Sequence, residues 1–143
     1  MKLIVAVVAA FLVAFVLFLL FSPAQVHAQI LSWPLTWTAT GDDSTFGQAT
    51  SYLLRYSTIK PDTTNISAMD SWWASAIITP ILITPKTSGS TEVFTVNGSF
   101  LSGTHYYFVL KACDEVPNCS PYSNLCDKFI PDTIAPRRIF DLR

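Results

Sequence analysis

Two patterns of apolar and polar positions divide this chain. Residues 3–21 (LIVAVVAAFLVAFVLFLLF) are apolar without a break. After Gln29 the apolar positions alternate with polar ones over short runs, the period of half-buried strands. Leu35 and Trp37 share one face of Leu35–Thr38. Tyr52, Leu54 and Tyr56 share one face of the next run. Ala76–Ile83 is apolar and β-branched, with Pro80 inside it. Val93–Val96 is a short strand. His105–Cys113 is the longest, with Tyr106, Phe108, Leu110 and Ala112 on one side, and Ser123–Ile130 closes the set. Turn residues separate the runs at Gly41-Asp42-Asp43, Lys60-Pro61-Asp62, Pro85–Ser90, Asn97-Gly98-Ser99 and Pro117–Pro121. No stretch after Gln29 carries apolar residues at helical spacing through three turns, so no helix is predicted there. Short strands at this spacing predict an all-β, antiparallel sandwich.

The apolar run reads as an export signal. Lys2 supplies a positive n-region, Ser22-Pro23 ends the helix, and Val26-His27-Ala28 places small or modest side chains at a cleavage site before Gln29. The 19 residues exceed the roughly 7–15 of an ordinary signal core and reach the roughly 20 that span a bilayer. Two readings are therefore open: a cleaved signal peptide (1–28), or an uncleaved membrane anchor. Both place the rest of the chain outside the cytoplasm.

Composition narrows the function classes. The chain has 143 residues, 9 Lys and Arg against 10 Asp and Glu, and a 50% apolar fraction. One domain fits in the 115 residues after the signal, which carry a net charge of −2. The balance of charge argues against a nucleic-acid partner. Only His105 remains among histidines after Ala28, and no Gly-rich phosphate loop occurs. No converging acid, base and nucleophile is readable, so the expectation is a non-enzyme with no cofactor.

The run L-T-W-T-A-T-G-D-D (35–43), Gly47-x-Ala49 and S-Y-L-L-R-Y-S (51–57) opens a longer pattern. Trp73-x-x-Ala76, Pro85-Lys86-x-x-Gly89-Ser90-Thr91-Glu92-x-Phe94 and Leu101-Ser102-Gly103-Thr104-x-Tyr106-Tyr107-Phe108 follow. Lys111-Ala112-x-Asp114 and Asn118-x-Ser120-Pro121-x-Ser123-Asn124 complete it. In order and spacing, residues 35–130 resemble a subgroup of fibronectin type III domains, found in bacterial secreted proteins and in chloride-channel regulator ectodomains. The resemblance implies an immunoglobulin-like sandwich over 29–130. It implies a core of Trp37 against Tyr52, with Leu101 and Tyr106 at the corner before the sixth strand. The family's first strand is short or missing, since only Gln29–Pro34 precede the second. Residues 131–143 resemble a linker and the first strand of a following domain. The expectation is a piece of a longer tandem array; the alternative is that Ile139, Phe140, Asp141 and Leu142 pair with the open edge, in this chain or a neighbour.

Three cysteines, Cys113, Cys119 and Cys126, allow three single bridges. The resemblance implies Cys113–Cys119, bracketing the loop between the last two strands; Cys113–Cys126 is the alternative, and the leftover thiol is free or intermolecular. In this fold Asp42 and Asp43 share one end of the sandwich with Asp114 and Glu115, a candidate calcium set. The simpler reading makes Asp42-Asp43 turn caps. Asn65-Ile66-Ser67, Asn97-Gly98-Ser99 and Asn118-Cys119-Ser120 fit the N-glycosylation pattern.

The function expected is a secreted or extracytoplasmic structural spacer or interaction domain, part of a larger extracellular protein. The alternatives are a module binding protein or polysaccharide through the loops Gly41–Ala49, Pro85–Glu92 and Asp114–Tyr122, or an accessory fragment of a secreted hydrolase. Trp72, Trp73 and Tyr107 are the candidate contact residues, with Trp33 a further candidate for stacking on sugar. An exposed Trp72-Trp73 pair would favour binding.

Overall fold

Period-two alternation runs unbroken from Ala28 to Thr38, and the whole stretch is one strand, β1. The computed structural model describes residues 27–43, 45–116 and 118–135. The expected signal at 1–28 lies almost entirely outside them, as do the anchor residues 3–21 and the strand at 139–142. After β1 come β2 (Ser51–Ser57), a helix α1 (Ile66–Ser75), β3 (Ile77–Thr79), β4 (Thr91–Leu101), β5 (Thr104–Cys113) and β6 (Cys126–Ile130). All ladders are antiparallel. β1 pairs with β4 in one sheet, and β3-β2-β5-β6 form the other. The fold is an all-β sandwich. Among the described residues no helix is long and apolar enough to cross a membrane.

The inward faces follow from the alternation. Leu35 from β1, Leu54 from β2, Val96 and Phe100 from β4, Tyr106 and Phe108 from β5 and Ile130 from β6 form the buried core. Aromatic rings fill much of it: Trp33 lies 4.5 Å from Phe100, Phe100 4.9 Å from Tyr106, and Trp37 meets Tyr52 edge-on at 5.0 Å. Offset and edge-on contacts of this kind suit the ring quadrupoles. As a strand at the edge of its sheet, β1 accommodates Pro34 without a lost ladder bond.

Four sequence expectations need correction. Asn97-Gly98-Ser99 is no turn: these residues lie inside β4, opposite Ser32, Leu31 and Ile30. Ala76–Ile83 is a strand only over Ile77–Thr79. Ile66–Ser75 is a helix. Its N-cap Asn65 accepts from the Ala68 N–H at 3.1 Å, and its buried face needs only Met69 and Trp72. Leu101, expected in the core, is 43% exposed. The inward positions of β4 are even-numbered through Phe100, so Leu101 points out. It is the Leu101 backbone that serves the corner, its N–H donating to the Tyr106 hydroxyl at 2.9 Å.

Candidate interaction surface

Helix α1 packs on the outer face of the four-stranded sheet. Met69, Trp72 and Ala76 close over Val109 of β5, which is 1% exposed, with Trp73, Tyr107, Tyr122 and Leu125 around them. The tryptophan pair is therefore not an exposed platform. Trp72 is buried, and its indole N–H donates to the Ile59 carbonyl at 2.6 Å. Trp73 is half-buried between cations. The Arg55 guanidinium sits 4.9 Å from its ring centre and donates to its carbonyl at 2.5 Å, and the Lys111 ammonium lies 4.3 Å from the Tyr122 ring. Such cation–aromatic contacts lock side chains together as well as offering charge. The Tyr122 hydroxyl donates to Asp70 at 2.6 Å. That bond and partial burial push its pKa up to about 12. Trp33 also faces inward, against Phe100 and Phe108.

Tyr107 has a different setting. Outward-facing side chains of β5 and β6 form a strip in which His105 stacks on Tyr107 at 6.0 Å and meets Phe129 at 4.8 Å. His105 Nδ1 lies 2.7 Å from Asp127 Oδ1, and Phe129 is 52% exposed. Sequence reasoning named Tyr107 alone; His105 and Phe129 join it only through the β5–β6 ladder, where they lie opposite each other.

The opposite end holds the loops. The Cys113–Cys119 disulfide is present, with Cα atoms 4.1 Å apart, and Cys126 is a free, half-buried thiol. A cleft of about 310 Å³ lies between Gly41-Asp42 and the disulfide loop. Asp42 Oδ1 is buried there without a hydrogen-bond partner. Desolvation first, then the charge of Glu115, raises the Asp42 pKa above 3.8. The other acids do not converge on it as ligands. Asp114 accepts from the Asn118 backbone at 2.9 Å and from the Asn118 side chain at 3.1 Å, clamping its own loop. The Asp43 backbone closes a turn on Phe46. Among the described residues no group of three or more acids, histidines or cysteines is placed to hold a metal ion. Gly41 is required for close approach: a Cβ there would lie 2.1 Å from the Phe46 carbonyl oxygen.

One buried acid was not singled out. Glu92 is 2% exposed and accepts from the Tyr52 hydroxyl at 3.4 Å and the Lys86 N–H at 2.5 Å, with the Lys86 ammonium 3.8 Å away. It ties the loop before β4 to the core.

No family model matches the chain, and no solved structure matches it at a significant level. Curated proteins do. The chain is 33% identical over 118 residues to calcium-activated chloride channel regulator 1 of Macaca mulatta and of Homo sapiens. It is 34% identical over 107 residues to the protein of the same name from Equus caballus. The matches cover 79%, 79% and 71% of this chain but only 12%, 12% and 11% of those proteins. The relatives are named as channel regulators, not as enzymes.

Proposed function

We propose that this chain is a non-catalytic, exported fibronectin type III module, serving as a structural spacer or interaction domain of an extracellular protein. The observation that carries the reading is the corner clamp inside the strand arrangement. β1-β4 face β3-β2-β5-β6, and the Tyr106 hydroxyl takes the Leu101 N–H at the turn between sheets. This is the hydrogen-bonded tyrosine expected at the corner of such sandwiches. The match, which covers 12% of each regulator's length, supports a module carried within a larger protein. The side chains proposed from sequence as contacts or metal ligands support the spacer reading, since Trp72 and Asp114 spend their polar groups on the fold itself and the Trp73 ring packs against Tyr122 and Arg55. A channel-regulating role like the relatives' is not part of this reading.

One observation favours the interaction role: the outward strip of His105, Tyr107 and Phe129, which suits a protein partner. The test is protease added to intact cells expressing the full chain, followed by calorimetry of the purified protein. Digestion without lysis is expected, with a single cooperative transition whose midpoint is unmoved by calcium or soluble polysaccharides. Protection from the protease would overturn export, and a calcium- or polysaccharide-dependent shift of several degrees would overturn the spacer reading.

A further inference from the structure

The four-stranded sheet ends at β6, and β6 carries a cation on its inner face. Cys126, Lys128 and Ile130 alternate with the exposed Asp127 and Phe129, so Lys128 lies on the core side between a half-buried thiol and a buried isoleucine. Among the described residues the ion pairs join Lys86 to Glu92 and His105 to Asp127, and no carboxylate pairs with Lys128. A charge turned inward costs desolvation unless an opposite charge offsets it.

Lys128 stands at a cleft. Among the described residues β1 pairs only with β4 and β6 only with β5, and between these two strands a cleft of about 180 Å³ reaches the core. Its floor is Leu54 and Phe108, 2% and 1% exposed, and Leu35, Trp37 and Leu110 flank it. From β6 it is lined by Lys128 and by Cys126, the one thiol outside the disulfide. Sites for small molecules have this build, an apolar lining with a few polar groups that fix the ligand's orientation. An apolar cavity of about 150 Å³ holds benzene, so this cleft admits one ring or a short chain. Lys128 is the single charged side chain of the lining, which matches a single negative charge.

We propose that this cleft binds a small apolar carboxylate, an aryl or short alkyl acid. Its body rests on Leu54 and Phe108, and its carboxylate pairs with the Lys128 ammonium. In a partly desolvated cleft that pair is a charge-assisted hydrogen bond. The ligand supplies the partner that the fold leaves out. The inference goes beyond the spacer reading, which neither needs it nor falls with it.

Benzoate is the probe and Cys126 the reporter. The full chain, purified in a neutral detergent because of the apolar run 3–21, is modified with N-ethylmaleimide without denaturant. Each rate is read as the ratio with and without ligand, so the thiol's own reactivity cancels. Saturating benzoate should slow modification of Cys126 about tenfold, as occupancy of the cleft requires. Benzyl alcohol, of similar size and uncharged, should leave the rate within about twofold. In Lys128→Met, which keeps the apolar stem, benzoate should lose its effect. An unchanged rate in benzoate overturns the proposal. So does equal protection by benzyl alcohol, or protection that survives in Lys128→Met. Should the variant fail to fold, the two ligands compared on the unmodified chain decide. Inward-pointing lysines also guard sheet edges against other strands. A Lys128→Met chain that dimerises by light scattering, while benzoate leaves the unmodified chain unprotected, would make Lys128 such a guard and overturn the proposal.

Discussion

The residues that matter most are the ones whose polar groups are spent inside the sandwich. Tyr106→Phe removes the acceptor for the Leu101 N–H and is expected to cost about 1–2 kcal/mol in urea unfolding. Glu92→Ala leaves Lys86 and Tyr52 without their buried partner, at about 2–3 kcal/mol by the same measurement. Asp42 has the opposite sign. Its folded pKa lies above 3.8, so the native state holds its proton longer than the unfolded chain, and stability falls as pH rises through that window. Asp42→Asn is therefore expected to raise the melting temperature at neutral pH, with the gain gone below about pH 4. Much of this scale was legible in the sequence, because alternation assigns Tyr52, Leu54, Tyr106 and Phe108 to the inner faces. Leu101 was misplaced for a related reason. Reading Asn97-Gly98 as a turn broke β4 in two and hid the even-numbered register that carries Phe94, Val96 and Phe100 inward. Glu92 stands in the motif and in the expected loop Pro85–Glu92, but charge alone gives no sign of its burial.

At the level of elements, α1 is the part that sequence patterning missed. Ten residues give fewer than three turns, and only Met69 and Trp72 are buried, too narrow a stripe to register as helical periodicity. Its Asn65 cap and its seat on Val109 hold it, rather than its own propensity. Trp72→Ala is expected to cost about 3–5 kcal/mol, with Val109 left exposed. Asn65→Ala is expected to cost about 1 kcal/mol. Both are measured by denaturant titration. Tyr122 reports on the same face. Because its folded pKa is raised to about 12, the stability it brings is whole below pH 10 and is lost as pH climbs through 12. Burial also raises Tyr52 and Tyr56, so alkaline titration of phenolate absorbance should show several late-titrating tyrosines, one fewer in Tyr122→Phe.

For the whole molecule, two sheets, one corner clamp and one short disulfide loop describe a unit built to hold its shape. The bridge spans a sequence separation of 6 residues, so its removal is expected to cost about 2 kcal/mol. The sandwich class was readable because strands and turns alternate so regularly. The strip of His105, Tyr107 and Phe129 was not, since it forms only when β5 and β6 are laid side by side. The central claim is an exported, disulfide-clamped sandwich, and a peptide mass map of the exported chain under non-reducing conditions tests it most directly. The account predicts Cys113 linked to Cys119, with Cys126 alkylated once the protein is unfolded. Cys126 found bonded to either of the other two, or three free thiols, would contradict it.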